Sequence, residues 1–398
     1  MRTVSTPAFM ITLASITLIG PLAIHMFLPV LPVVKNAFVI SDSLAGLTFS
    51  VTLFVMGFVT LVYGSLSDRY GRRPVLLASL ALFVAGSVAS ALATTVGWLV
   101  AGRMLQAVGA GGGATLARAI ARDAFGTDRL VKAIAYLQMA YTLGPMLAPL
   151  AGGLMLDAAG WRGVPWLAAA IGLVISAAVV AVLHETHKAE HRTRGGSVLA
   201  DYAKLFSHAR FTCYVLQSGF STGTFFAMGA AASFLMKDYL GRSASEFGAF
   251  FMLFPCGFLT GNFLSSKLSH RFSIETMVMA GASLNMIASA IQAALLLSGH
   301  VTPLAIFVPG MLTTLGQGLA LPNGQVGAIR VMPSLAGTAA GIGVFFQMFL
   351  GAVFAEMYTL LADGTPVPMV IACLTASVLS LATGIVPYAM RVRAAQPA

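Results

Sequence analysis

Apolar runs of about 20 residues, separated by short polar joints, recur twelve times along this chain. One helix needs a run of that length to cross a bilayer, where every backbone N–H and C=O must be bonded within the segment. The runs fall near 8–33, 44–66, 74–94, 97–120, 131–156, 162–183, 211–236, 246–268, 274–297, 302–328, 335–360 and 366–390. Turn signals separate them, among them Gly97-Trp98, Gly160-Trp161-Arg162-Gly163 and Asp363-Gly364-Thr365-Pro366. Composition agrees: 58% of the 398 residues are hydrophobic and 9% charged, against about a quarter charged in water-soluble domains. The expected fold class is an all-α integral membrane protein with twelve transmembrane helices. The first run is too long for a signal-peptide core and is read as a retained span.

Charge fixes the expected orientation. If the N-terminus is inside, the inner segments hold Arg2, Arg69, Arg72, Arg73, Arg118, Arg122, Arg129, Lys132, Lys188, Arg192, Arg194, Lys204, Arg210, Lys267, Arg271, Arg330, Arg391 and Arg393. The outer loops hold only Lys35, Arg162, Lys237 and Arg242. Such a bias predicts both termini in the cytoplasm. The net charge of +10 is spread over these short loops, so it reads as orientation and not as a nucleic-acid patch.

The densest charged joint is Gly64-Ser65-Leu66-Ser67-Asp68-Arg69-Tyr70-Gly71-Arg72-Arg73-Pro74, between the second and third spans. A shorter echo, Ser266-Lys267-Leu268-Ser269-His270-Arg271-Phe272, occupies the matching place in the second half, with His270 where the first copy has Asp68. The longest polar stretch lies between the halves. The expected organisation is a six-helix bundle over 1–183, a cytoplasmic linker over 184–210 and a second six-helix bundle over 211–398.

Few residues can carry chemistry. No phosphate-cradling loop, metal cluster or G-x-S-x-G motif is present, and the three cysteines lie far apart in apolar stretches. No enzyme activity, cofactor or metal is expected. Arg103 falls inside the fourth span, where a charge must face the bundle interior or water. Glu356 is the other ionisable candidate, toward the outer end of the eleventh span. The fifth span carries Gly144, Pro145, Pro149, Gly152 and Gly153, residues that bend a helix and admit a close neighbour. Gly109, Gly111, Gly112 and Gly113 read as a close helix contact. Met26, Gln106, Tyr136, Gln138, Gln217 and Gln347 are candidates to line a substrate cavity, or simply to pack and to bond across helices.

The joint at Gly64–Pro74 resembles the G-x-L-x-D-R-x-G-R-R signature of the major facilitator superfamily. Arg103-Met104-Leu105-Gln106-Ala107-Val108-Gly109 resembles its R-x-x-Q-G-x-G motif, with Ala107 in a glycine's place. Gly144-Pro145 through Gly153 resembles the G-P-x-x-x-P-x-x-G-G antiporter motif. Ile24-His25-Met26-Phe27-Leu28-Pro29, Ala117-Arg118-Ala119-Ile120-Ala121-Arg122-Asp123, Leu321-Pro322-Asn323-Gly324 and Gln347 are similar to stretches of the bicyclomycin/chloramphenicol-resistance (Bcr/CflA) drug exporters.

The resemblance implies two pseudo-symmetric six-helix bundles and a monomeric, proton-coupled exporter of small amphipathic drugs in the inner membrane, working by alternating access. It assigns proton coupling to Arg103. It assigns a conformational switch to Gly64, Asp68, Arg69, Gly71, Arg72 and Arg73, with Arg118 or Arg122 as the partner of Asp68. His25 stands where the family usually has aspartate. It therefore either carries the proton, with Arg103 and Glu356 completing the coupling set, or is a hydrogen-bonding residue that never titrates. Without that carboxylate the expected cargo shifts toward neutral, zwitterionic or anionic compounds. Transport of one specific metabolite on the same fold, and a non-transporting sensor, remain open at this point.

Overall fold

The computed structural model describes residues 7–186 and 198–395. The described residues contain helices and no strand. The order is α1 (Pro7–His25), a 3-10 turn over Leu28–Val30, α2 (Leu31–Phe38), α3 (Asp42–Tyr70), α4 (Arg72–Ala91), α5 (Val96–Ala110), α6 (Gly112–Ala159) and α7 (Gly163–Val182). Then come α8 (Val198–Phe206), α9 (Ala209–Phe234), α10 (Ala244–Phe251), α11 (Leu253–Leu268), α12 (Ile274–Leu297), α13 (Pro303–Val331), α14 (Ala336–Leu361) and α15 (Val367–Ala395). Among the described residues, eleven helical segments are long and apolar enough to cross a membrane.

The fourth expected span, 97–120, is the one not among these eleven; it is divided at Gly111 between α5 and the start of α6. The helical run of α6 then continues through the joint expected before residue 131. The chain nevertheless turns back on itself there. Arg118 Nη2 donates to Gln138 Oε1 at 3.4 Å, whereas 20 residues of straight helix would separate them by about 30 Å. Spans four and five are thus antiparallel neighbours.

Helix ends follow local chemistry. Ser41, Thr95, Ser273 and Thr302 cap α3, α5, α12 and α13, each side-chain oxygen accepting from the N–H three residues on. Gly71, at φ +100°, ends α3 in a conformation that side chains other than glycine's rarely adopt. Of the expected linker 184–210, residues 187–197 lie outside the described residues, as do Arg2, Lys188, Arg192 and Arg194. Its remainder forms α8 and the start of α9.

The contacts divide the chain into two units, Met1–Gly196 with Ser243–Ala249, and Ser197–Arg242 with Phe250–Ala398. In the first, α1 packs on α6, α5 on both α3 and α4, and α4 on α7. In the second, α9 packs on α14, α13 on both α11 and α12, and α12 on α15. Each of these neighbour pairs of one unit has its counterpart in the other, a repeat of architecture much clearer than the repeat of sequence.

Small residues make these contacts possible. A Cβ on Gly86 of α4 would run into the backbone of Gln106, and one on Gly109 of α5 into the backbone of Phe83 and Ser79. Gly113 faces the Ile16 carbonyl, where a Cβ would sit at 2.7 Å. Backbones this close gain dispersion contacts that lipid tails cannot replace. Gly86→Ala and Gly109→Ala are each expected to destabilise the protein by about 1–3 kcal/mol through overpacking. Gly97→Ala, whose Cβ would meet nothing within 4 Å, is expected to have no such effect. Melting of the three variants in detergent checks this.

Candidate functional site

The first unit is organised around Arg103. The residue is buried, at 2% exposure. Nη2 donates to the Ala23 carbonyl at 2.8 Å, Nε to the Thr48 carbonyl at 3.2 Å, and Nη1 to Gln106 Oε1. The Phe27 ring lies under the guanidinium, its centroid 4.2 Å from Cζ. Gln106 passes the network on, donating from Nε2 to Ser87 Oγ at 2.7 Å. Arg103 and Gln106 together thereby tie α1, α3 and α4 to α5.

The geometry at α1 explains why this works. Pro29 and Pro32 lack the N–H that would continue the helix, and α1 ends at His25. Ala23 is among its last four residues, whose carbonyls lack intrahelical partners. A cation at that negative end is favoured electrostatically. All the acceptors of Arg103 are neutral groups. His25 is the final residue of α1 and is buried, at 4% exposure. It therefore sits two residues from both Ala23 and Phe27, which hold Arg103.

The fifth-span motif packs onto the same helix end. A Cβ on Gly144 would strike the ring of Pro21, and one on Gly152 the backbone of Met26. Gly153 meets the backbone of Ala244, and the Asp157 carboxylate accepts from the Ser245 N–H at 3.0 Å, all within the first unit. Pro145 and Pro149 lie inside α6 between these contacts. The motif residues of α6 thus seat the proline-broken end of α1.

The charged joint forms a second cluster. Arg72 is almost fully buried and pairs with Asp68 Oδ1 at 2.6 Å and with Asp123 Oδ2 at 2.9 Å. It also bonds Ser67 Oγ. Asp68 does not meet Arg118 or Arg122, the partners expected from sequence. Arg72, four residues away across the Gly71 turn, takes its carboxylate, while Arg118 bonds Gln138 and Arg122 lies 3.7 Å from Asp123. Glu185, just past α7, receives the backbone N–H groups of Arg72 at 3.0 Å and Arg73 at 3.1 Å. Two orphan donors and the positive dipole end of α4 are satisfied by that carboxylate. Arg73 also reaches the Val180 carbonyl at 3.1 Å, and Arg69 stacks over Tyr70. Gly64 has open space around it. Asp123 and Glu185 were not singled out as site residues from sequence. Their signal, a carboxylate at a span end, is shared by many residues of no consequence.

The remaining candidates are scattered. Tyr136 and Gln138 are exposed on α6. Met26 and Gln106 are buried in the packing of the first unit. Gln217 is fully buried in the second unit and donates to Ser380 Oγ at 3.2 Å; Gln347 is buried on α14. Glu356, also on α14, is half-buried. No grouping of three or more His, Cys, Asp or Glu that could hold a metal occurs among the described residues.

The buried arginine of span four, the charged joint and the proline–glycine span all lie within the stretch that a family profile matches. The Major Facilitator Superfamily profile covers residues 13–355. The chain belongs to that family of transporters. It is 26% identical over 384 residues to the bicyclomycin resistance protein homolog of Haemophilus influenzae, covering 94% of this chain and 96% of the relative. It is 26% identical over 354 residues to multidrug resistance protein D of Escherichia coli (strain K12), covering 88% of each. Among solved structures, a D-xylose-proton symporter superposes with a TM-score of 0.76 at 14% identity, covering 95% of this chain and 96% of that one. A bacterial homolog of the lysosomal transporter Spinster gives 0.71 at 18%, covering 96% and 95%. These superpositions establish the fold.

Glu185→Ala removes a charge-assisted acceptor from two N–H groups and is expected to cost about 1–3 kcal/mol. The melting temperature should fall by several degrees, with Glu185→Gln in between; a thermal melt of the purified protein checks the order.

Proposed function

We propose that this transporter exports small amphipathic compounds, antibiotics among them, across the inner membrane in exchange for protons. The names of its relatives, bicyclomycin resistance protein homolog and multidrug resistance protein D, support drug efflux. In this reading it acts as a monomer without a cofactor, with both termini in the cytoplasm. The charge distribution over its loops supports that orientation.

The observation that carries the reading is the environment of Arg103. A guanidinium buried among neutral acceptors is a fixed positive charge in a low-dielectric interior, where fields reach far. The spans of the first unit hold no carboxylate between their ends. Such an interior disfavours cations and accepts neutral, zwitterionic or anionic cargo. His25, at the proline-broken end of α1, is the proposed proton carrier, alternating between neutral and +1. Arg103 orients the carbonyls beside it, and Glu356 is the third member of the coupling set.

Asp68, Arg72 and Asp123 form the proposed switch. A side chain shared between two carboxylates has alternative pairings of similar energy, and transport selects between them. Gly144, Pro145, Pro149, Gly152 and Gly153 supply the bend that lets α6 follow α1.

The test is compound-driven proton release from liposomes holding the purified protein. A pH gradient is imposed and neutral, zwitterionic and anionic antibiotics are added. The wild type is expected to release protons, and His25→Ala to lose at least nine-tenths of that flux. Undiminished coupling in His25→Ala would remove the histidine from the mechanism. A broad panel that moves no protons through the wild type would remove drug export itself.

A further inference from the structure

The second copy of the charged joint lacks the aspartate of the first, yet the corresponding end of the second unit is not left uncharged. Extending the alignment of Ser266–Phe272 with the first joint places Glu275 opposite Arg73 and Ser273 opposite Gly71. Glu275 lies in the first turn of α12, the counterpart of α4. Its Oε1 receives Arg210 Nη2 from the start of α9 at 2.5 Å and the Tyr214 hydroxyl at 3.2 Å. Its Oε2 lies 4.0 Å from Arg391 Nε, near the end of α15. Arg391 also donates to Ser273 Oγ, the N-cap of α12, and to Thr276 Oγ1 at 3.3 Å.

This arrangement has the opposite polarity to the one in the first unit. There a cation, Arg72, opens a helix whose positive dipole end repels it, and carboxylates from α3, from α6 and from just past α7 compensate. Here an anion opens the helix, where the dipole favours it, and arginines from α9 and α15 surround it. Even the contribution of the last span is reversed: Glu185 follows α7, and Arg391 ends α15, its counterpart. In the first cluster the partners offset an unfavourable charge; in the second they add to a favourable one.

Beneath it lies an apolar cluster that includes Leu205, Phe211, Tyr214, Val278 and Ile342. The Tyr214 ring is fixed by Gly327, where a Cβ would sit 2.7 Å from Cζ. Glu275 therefore gathers the ends of α9, α12 and α15 over a packed core, with Arg210 and the Tyr214 phenol donating to it and Arg391 paired by charge.

We infer that Glu275 is a positioning residue for transport, the centre of a charge-inverted clamp that makes the ends of α9, α12 and α15 move as one piece. It touches no cargo. The inference rests on the transport reading above for its functional half, while its structural half can be measured without any cargo.

Two measurements on the full-length protein in liposomes decide it, comparing wild type, Glu275→Gln, Arg391→Gln and the double variant. Hydrogen exchange is followed in the peptides at the ends of α9, α12 and α15. Proton flux is followed against compound concentration. In Glu275→Gln, exchange is expected to rise at least tenfold at all three ends together, with the α3–α4 joint unchanged. Maximal flux should drop at least fivefold while the half-saturating concentration stays within twofold. The effect of the double variant should be smaller than the sum of the two single effects, because both remove the same clamp, although Arg391 also loses its own bonds to Ser273 and Thr276. Unchanged exchange, or exchange that rises at α12 alone, overturns the clamp. Raised exchange at all three ends with full maximal flux overturns the positioning role. A wild type that moves no compound defeats the transport reading instead, and the exchange data still decide the clamp.

Discussion

A guanidinium shut away from water must be met by acceptors, and the first unit is arranged to meet the one on Arg103. The acceptors come from the places where helices are incomplete or polar: the carbonyls at the broken end of α1, the Thr48 carbonyl of α3 and the amide of Gln106. Remove the break in α1 and Ala23 loses its free carbonyl. Fill Gly152 and α6 no longer seats the chain just past His25. The prolines of α1, the glycines of α6 and the polar face of α5 thus serve one buried charge. Functionally, the same charge gives the interior its sign.

The two units show how one architecture accommodates opposite electrostatics. Helix neighbours repeat between them, as do the short joints opening α4 and α12. The charges at those joints do not. Arg72 faces an unfavourable dipole and is held by three carboxylates, one of them through the backbone. Glu275 faces a favourable one and is held by two arginines and a tyrosine. Both joints are neutralised, with opposite polarity.

Much of this is legible in the sequence, for definite reasons. Spans are legible because backbone bonding in lipid demands long apolar runs. Arg103 is legible as an interior residue because a charge there is costly, and Gly109–Gly113 as a contact because nothing else needs so many glycines in a span. The acceptors of Arg103 are not legible, since every residue has a carbonyl and only the folded backbone says which is free. Nor are Asp123 and Glu185 as partners, because each lies more than 50 residues from Arg72 in sequence. The pairing of Asp68 with Arg72 is set locally, because the sharp turn at Gly71 brings Arg72 back to it. The continuous helical run of α6 was missed because its polar residues read as a loop, although their helix propensities are ordinary.

The proposed proton-driven exporter works around a fixed positive charge with no carboxylate inside the spans of the first unit. The most direct measurement uses one amphipathic scaffold carrying a carboxylate, an amide or an amine, and follows its proton-driven transport in vesicles containing the wild-type protein. The carboxylate and amide forms are expected to be carried, and the amine at least tenfold more slowly. Preferential transport of the amine would contradict this.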